Sequence, residues 1–292
     1  MSNSVVSYLL KSFFSILICI LLLPCSQPMP AVQATPLIEI ARSGEVPPDR
    51  NTSAEFGELF AGWSGKEKAI NAGGVSEGDP GNSESGPGNS VAEKIVYLTF
   101  DDGPDPDWTP LVLDILLRHN ARATFYVVGR SVKTYPEVIL QLAQAGQMIA
   151  NHSYNHVSLS KLSWQEFYYE LKNTENAVRE ILAPYVDLEQ QIGLCIRPPY
   201  GDVNGNVWTY AYRLQYDVSM WSLDTLDWKG LKAEEIVETV MDKVKPGAII
   251  LMHDGGTDRT ETVKALSLIL HELTIQGYHF PALCTATGQV SQ

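Results

Sequence analysis

The stretch YLTFDDGP, residues 97–104, joins an apolar run to two adjacent carboxylates and a Gly-Pro turn. The apolar part is typical of a buried strand that ends near Asp101. Taken alone, the polar part is equally consistent with a helix N-cap followed by a turn. In an active site, the same pair would offer two carboxylates with different directions, because successive side chains of an extended segment face opposite ways. The rest of the chain decides between these interpretations.

Short apolar runs alternate with helical patterns from residue 93 onward, and this stretch belongs to the first run. The predicted strands are KIVYLTF (94–100), ATFYVVG (123–129), GQMIANH (146–152), GLCIRPP (193–199), YDVSMWSL (216–223), GAIILMH (247–253) and YHFPAL (278–283). The predicted helices cover residues 107–120, 135–146, 163–182, 205–215, 231–244 and 261–277, and Ser163 and Glu166 form a capping-box pair at the start of the third. This alternation predicts an α/β fold with about seven parallel strands, closed or nearly closed into a barrel.

Polar residues that a core would not need follow the carboxyl ends of these strands. They are Asp101, Asp102, His152, His156, Arg197, Asp224, Asp227, His253 and Asp254. Active sites of α/β barrels are built at this face of the barrel. His119, His271 and His279 fall away from it, on helices or on the last strand, and are interpreted as structural.

The segment HSYNH places His152 and His156 four residues apart. That spacing alone is weak evidence for a metal. A carboxylate from another strand would complete a set of two histidines and one acid, which leaves an open coordination position for water and substrate. Asp101 and Asp102 supply one ligand and one spare base.

These residues resemble the five ordered motifs of the polysaccharide deacetylases, carbohydrate esterase family four. The matching segments are TFDDGP (99–104), HSYNH (152–156), RPPY (197–200), DTLDW (224–228) and LMH (251–253). The resemblance covers roughly residues 93–282, and five motifs in family order are highly specific. It implies a distorted, incompletely closed (β/α) barrel.

The resemblance also implies a role for each matching residue. Asp102, His152 and His156 would hold a divalent metal, usually zinc, with Co²⁺ or another divalent ion as alternatives. Asp101 would be the general base, oriented by Arg197. His253 would be the general acid, held in place by Asp227. The backbone N–H of Tyr200 would help to hold the oxyanion. The implied reaction is hydrolysis of an N-acetyl group on a sugar, with release of acetate.

Trp228 and Tyr200 stand in motifs and would stack on sugar rings, although packing at the top of the barrel explains aromatic residues there equally well. The glycan itself is left open between peptidoglycan, chitin-like polymers, another N-acetylated polysaccharide and an O-acetylated xylan. Two other functional classes are alternatives to a deacetylase. One is a non-catalytic carbohydrate-binding module on the same fold, and the other is a non-haem iron oxygenase, which would require a double-stranded β fold.

The first 92 residues differ from the rest in composition. Residues 1–34 contain one lysine before the apolar stretch 13–23 and are interpreted as an export signal cleaved after Ala34, with an uncleaved membrane anchor or a lipidated Cys25 as alternatives. Residues 35–92 are rich in Gly, Ser, Asn and Pro and are predicted to be a flexible acidic linker. The catalytic domain is then predicted at residues 93–284 and a tail at 285–292. A secreted or envelope enzyme is expected, either free or tethered.

Net charge and cysteine content bear on the binding partner and on disulfide pairing. The net charge of −13 argues against nucleic acid as a partner, since binding to nucleic acid requires a basic surface. Cys195 and Cys284 are the two cysteines outside the export segment, and both lie in apolar stretches. We expect them to be buried and unpaired. The expected partner is a polysaccharide, and the expected form of the protein is a monomer.

Overall fold

A computed structural model of the chain describes residues 93–286. It contains seven strands: β1 (Val96–Asp101), β2 (Ala123–Val127), β3 (Met148–Asn151), β4 (Ile192–Ile196), β5 (Asp217–Val218), β6 (Leu223–Asp224) and β7 (Ala248–His253). The predicted export segment and linker lie outside the described residues, as does the tail beyond residue 286. Between residues 93 and 286, no helix has the length and apolar character needed to cross a membrane.

The seven strands form one sheet in the order β5-β4-β3-β2-β1-β7-β6. All six pairs of neighbouring strands are parallel. β5 and β6 are the two edges of the sheet, so it curls without closing. The prediction of an incompletely closed α/β barrel with seven parallel strands is therefore confirmed.

Seven helices accompany the strands: α1 (Thr109–Arg118), α2 (Gly129–Thr134), α3 (Pro136–Gln144), α4 (Trp164–Leu182), α5 (Gly205–Arg213), α6 (Ala233–Lys243) and α7 (Thr260–Ile275). All six predicted helices are present. The predicted capping box at α4 is confirmed, because the Ser163 backbone N–H donates to the Glu166 carboxylate at 2.8 Å and the Glu166 N–H donates to the Ser163 hydroxyl at 3.4 Å. The short helix α2 was not predicted.

The predicted strand at 216–223 is wrong in detail. Only its two ends pair, as β5 and the start of β6, and these lie at opposite edges of the sheet. Between them, the backbone carbonyls of Ser219 and Met220 accept hydrogen bonds from the buried Arg197 side chain, both at 3.3 Å. This segment therefore runs across the gap between the two edges of the open barrel.

The predicted strand at 278–283 is also wrong. Its only ladder contact is an isolated bridge between His279 and Ile95. Its backbone bonds go to the starts of other elements, from the His279 N–H to the Lys94 carbonyl and from the Arg122 N–H to the Phe280 carbonyl, both at 2.8 Å. Pro281 has no N–H to continue a ladder. The count of seven strands is reached because the fifth predicted strand is divided in two.

The core lies between the sheet and the helices. Every residue of β1, β2 and β3 is buried, as expected for parallel strands covered on both faces. The helices contribute apolar side chains on one face, such as Leu116 of α1, Leu142 of α3 and Ile269 of α7. This packing fixes the carboxyl ends of the strands, where the polar residues emerge.

Cys195 and Cys284 form a disulfide, so the expectation of unpaired thiols is wrong. Cys195 lies on β4, and the segment that contains Cys284 runs beside β4 and β2, with a hydrogen bond from the Leu194 N–H to the Thr285 carbonyl at 3.2 Å. The two Cα atoms are 6.1 Å apart, within the usual range for a disulfide. Sequence position alone could not show that this terminal segment packs against β4.

Loss of this disulfide is expected to destabilise the protein. It joins residues 89 positions apart, and closure of a long loop restricts the unfolded chain, so Cys195→Ser/Cys284→Ser should lower the free energy of unfolding by about 2–4 kcal/mol. Chemical denaturation followed by fluorescence, with and without a dithiol reductant, measures this effect. Reductant should destabilise the unaltered protein and leave the double variant unchanged. An unaltered protein that is insensitive to reductant even when unfolded would contradict the pairing.

Candidate active site

The polar residues predicted from the motifs meet at the carboxyl end of the sheet. Asp101 is the last residue of β1 and His253 the last residue of β7, and the two are paired in register on neighbouring strands. His152 follows β3, and Arg197 follows β4. The parallel topology therefore brings together side chains that are up to 152 positions apart in the sequence.

Asp102, His152 and His156 form a compact group of donor atoms. The Asp102 Oδ1 atom lies 3.0 Å from the His156 Nε2 and 3.5 Å from the His152 Nε2. One donor atom from each of the three residues lies within 4.8 Å of the other two. Two imidazole nitrogens and one carboxylate oxygen at these separations fit a single divalent metal ion with an open coordination position.

His152 is held in a state that suits a metal ligand. Its Nδ1 donates to the Arg197 carbonyl at 2.6 Å, which leaves the lone pair on Nε2, the atom that faces Asp102. Burial lowers the pKa of His152, and the nearby carboxylates offset this only in part. The ring is therefore neutral at neutral pH.

Asp102 is ionised at neutral pH. Burial acts to raise its pKa, but the hydrogen bond from His156 and the charges of the neighbouring histidines outweigh it and lower the pKa to about 2. A carboxylate and neutral imidazoles are the protonation states that bind a metal.

Two of the three possible ligands have strained backbones. Asp102 has φ 76° and His156 has φ 57°, both in the left-handed region that non-glycine residues rarely adopt. Such a conformation costs about 1–3 kcal/mol and persists where the surrounding structure requires it. Gly255 packs against this backbone, and a Cβ at that position would lie 2.6 Å from the Asp102 carbonyl oxygen. The turn after β7 thus helps to fix Asp102.

Asp101 is held by Arg197. The Arg197 Nη1 donates to the Asp101 Oδ1 and to the Thr99 hydroxyl, each at 2.8 Å. Arg197 is fully buried, and its guanidinium lies 4.1 Å from the centre of the Tyr126 ring. The other carboxylate oxygen of Asp101, Oδ2, lies 3.8 Å from the His152 Nε2. One oxygen of Asp101 is thus anchored while the second faces the group of metal-binding atoms.

His253 is held by Asp227. The His253 Nδ1 donates to the Asp227 Oδ1 at 2.8 Å, and the His253 backbone N–H donates to the Asp227 Oδ2 at 2.9 Å. Burial lowers the pKa of His253, but the hydrogen bond and charge of Asp227, together with the charges of Asp101 and Asp102, outweigh it and raise the pKa above the ordinary value. The pair can therefore keep a proton on the imidazole.

Tyr200 lies beside the metal-binding atoms, and Trp228 presents an exposed ring in the segment that follows β6. Tyr200 is 73% exposed, its ring meets the His156 ring edge-on at 4.7 Å, and its hydroxyl donates to the His156 carbonyl at 3.3 Å. Its φ of 62° turns the backbone sharply at this point. Trp228 is 53% exposed and donates from its indole to the Asp224 carboxylate at 3.4 Å. Exposure rules out core packing as the role of either ring.

Two residues of the turn after β7 were given no role by the motifs. Asp254 is buried and accepts from the Thr109 hydroxyl at 2.6 Å, and burial together with the charges of Asp101 and Asp102 raises its pKa to about 7. Arg259 is also buried, with its Nη2 3.9 Å from the Asp102 Oδ2. An isolated arginine before a helix is common in sequences, so its burial beside Asp102 could be recognised only in three dimensions.

Comparisons with known proteins agree with these motifs. The family model "Polysaccharide deacetylase" matches residues 88–219. A peptidoglycan-N-acetylglucosamine deacetylase from Bacillus cereus is 40% identical over 192 residues, covering 64% of this chain and 85% of the relative. A chitooligosaccharide deacetylase from Bradyrhizobium sp. is 34% identical over 207 residues, covering 67% of this chain and 92% of the relative.

A solved structure is similar to the described fold as well. It is a complex of a peptidoglycan N-acetylglucosamine deacetylase with 4-naphthalen-1-yl-N-oxidanyl-benzamide. The two structures have a TM-score of 0.61 and 34% sequence identity, over 66% of this chain and 87% of the other.

Proposed function

Because the chain belongs to the polysaccharide deacetylase family, we propose that it is a metal-dependent hydrolase that removes N-acetyl groups from an envelope polysaccharide and releases acetate. The observation that carries the proposal is the arrangement at the carboxyl end of the sheet. One group of metal-binding atoms, Asp102, His152 and His156, lies between two hydrogen-bonded pairs that suit proton transfer. Those pairs are Asp101 with Arg197 and His253 with Asp227.

The metal that suits this donor set best is zinc. Two imidazole nitrogens and one carboxylate oxygen, with one position left open, form a typical catalytic zinc site. A divalent metal bound there would supply Lewis-acid polarisation of the amide carbonyl and would make water acidic enough to act as a nucleophile near neutral pH. Asp102, His152 and His156 supply the ligands, and the Arg197 carbonyl orients one of them through the His152 Nδ1.

Asp101 acts as the general base. Arg197 occupies its Oδ1, so Oδ2 is the atom that takes the proton from the attacking water. The buried guanidinium keeps the carboxylate in one orientation, and orientation is a large part of what an active site contributes.

His253 acts as the general acid. The departing nitrogen of an amide cannot leave as an anion, so a proton must reach it as the C–N bond breaks. His253 holds its Nδ1 proton against Asp227, which leaves the Nε2 proton of the imidazolium for transfer.

Tyr200 and Trp228 contact the substrate. The Tyr200 N–H helps to hold the oxyanion of the tetrahedral intermediate, a kind of interaction worth about 3 kcal/mol. Trp228, which follows Asp227 in the chain, offers an exposed ring for stacking on a sugar.

Peptidoglycan or a chitin-like polymer of N-acetylglucosamine is the proposed substrate. The relatives are named for peptidoglycan N-acetylglucosamine and for chitooligosaccharides. The apolar segment in residues 1–34 supports a secreted or envelope enzyme. This segment is either removed as an export signal or retained as a membrane anchor. The iron oxygenase alternative requires a double-stranded β fold, and the parallel α/β sheet contradicts it.

Acetate release tests the proposal. The purified chain is incubated with peptidoglycan, N-acetylglucosamine oligomers and O-acetylated xylan, each with zinc and with a chelator. We expect zinc-dependent acetate from an N-acetylated substrate and none in the presence of chelator. Acetate from xylan alone would replace the proposal with an O-acetyl esterase. No acetate from any substrate by zinc-loaded protein would favour a non-catalytic carbohydrate-binding module.

A further inference from the structure

Arg259 is a buried cation at the edge of the proposed metal site. It immediately precedes α7 and is 4% exposed. Its Nε donates to the Gly255 carbonyl at 2.8 Å, and its Nη2 lies 3.9 Å from the Asp102 Oδ2. A buried charge is costly unless it is paired, and the carboxylate partner here is Asp102.

The two oxygens of Asp102 have different partners. Oδ1 faces the imidazole nitrogens of His156 and His152, at 3.0 and 3.5 Å. Oδ2 faces Arg259. The carboxylate is thus divided between the proposed ligand group on one side and a fixed cation on the other.

The space between Arg259 and Asp102 depends on Gly256. A Cβ at that position would lie 3.2 Å from the Asp102 Oδ2 and 3.6 Å from the Arg259 Nη2. Gly256 also has φ +86°, a backbone conformation that residues with a side chain rarely adopt. The turn after β7 therefore leaves room for this ion pair.

Arg259 lies beside Asp102 as Arg197 lies beside Asp101, but its contact is an ion pair at 3.9 Å and not a hydrogen bond at 2.8 Å. Arg197 approaches from the end of β4 and occupies one oxygen of Asp101, and Arg259 approaches from the start of α7 and faces one oxygen of Asp102. Each of the two adjacent carboxylates therefore has its own buried arginine at one oxygen, and its second oxygen faces the imidazole nitrogens.

We propose that Arg259 is a positioning residue that holds the Asp102 Oδ2, so that Asp102 offers Oδ1 alone to the metal. The inference rests on the proposed metal site. With Oδ2 held, Asp102 would bind a metal through one oxygen only, which would leave a coordination position open for substrate. Partners that orient metal ligands typically change metal affinity by about 10- to 100-fold when they are removed.

Zinc affinity of the metal-free protein, measured by competition with a chromophoric chelator, tests this inference. R259M keeps the apolar stem of the side chain and removes both its charge and its donors, and we expect it to bind zinc about 10- to 100-fold more weakly. R259K keeps the charge and should recover most of the affinity. R259Q can still donate to the Gly255 carbonyl but has no charge, so it should be as weak as R259M. K264M is the matched control, because Lys264 is a cation in the first turns of α7 that pairs with Glu261 instead.

The outcomes separate the inference from the proposed site. If the unaltered chain does not bind zinc, the proposed metal site itself is wrong. If the unaltered chain binds zinc and R259M and R259Q bind it equally well or more tightly, Arg259 does not position Asp102. Lower thermal stability of both variants without a change in zinc affinity would assign Arg259 only to the turn. If R259M does not fold, the zinc affinity of R259Q decides.

Discussion

Asp101→Asn is expected to lower kcat by about 10²- to 10⁴-fold, the usual contribution of a general base, while the bound metal stays unchanged. Asparagine has nearly the same shape, and its amide oxygen can still accept from the Arg197 Nη1, which now lies 2.8 Å from the Asp101 Oδ1. It has no carboxylate to take a proton from water. Initial rates of acetate release and metal content of the same preparation measure the two quantities.

Asp102→Asn is the matched control, because it changes the neighbouring carboxylate in the same way. The Asp102 Oδ1 lies 3.0 Å from the His156 Nε2, whereas the nearest oxygen of Asp101 lies 3.8 Å from the His152 Nε2. We therefore expect Asp102→Asn to lose metal. Metal loss from Asp101→Asn, with retention by Asp102→Asn, would mean that the two carboxylates have exchanged roles.

Asp101→Asn also leaves the buried Arg197 without its charged partner. Loss of one member of a buried ion pair costs about 3–5 kcal/mol. Arg197 keeps the Thr99 hydroxyl and the backbone carbonyls of Ser219 and Met220 as acceptors. Thermal unfolding of the variant should therefore be measured beside activity, so that loss of folded protein is not counted as loss of catalysis.

Sequence patterns predicted which residues come together at the candidate site better than they predicted the strands of the sheet. Asp101, His253 and Arg197 lie at the ends of strands, and a parallel sheet places all such ends on one face. The residues of short motifs that follow apolar runs can therefore be predicted to lie close together, even when the structure of the loops is unknown. The family resemblance implies different roles for Asp101 and Asp102, which periodicity could not suggest.

The predictions that were wrong concern segments whose backbone bonds go to distant partners. Residues 216–223 have the composition of a strand, but Arg197 takes two of their carbonyls and the segment crosses the gap instead. The Cys195–Cys284 disulfide joins residues 89 positions apart. Arg259, for which the sequence made no prediction, is notable only because it is buried beside Asp102. Each of these depends on tertiary contacts that local sequence does not encode.

His253→Gln is expected to lower kcat by about 10²- to 10⁴-fold, because glutamine cannot give a proton to the departing nitrogen. The active form of His253 is the imidazolium. Its pKa is raised above the ordinary value, since Asp227 and the charges of Asp101 and Asp102 outweigh the effect of burial. Activity should therefore be retained below that pKa and lost as the pH rises through it. The dependence of kcat on pH measures this alkaline limb.

Asp227→Asn separates the charge of Asp227 from its position. The variant removes the carboxylate that lies 2.8 Å from the His253 Nδ1, so the pKa of His253 should fall and the alkaline limb should move to lower pH. Thr262→Val is the matched control, because Thr262 donates to the same carboxylate at 3.0 Å but carries no charge, and it should shift the limb much less. An alkaline limb that stays in place in Asp227→Asn would show that it belongs to a group other than His253. In that case, the proton for the leaving amine must come from elsewhere in the site.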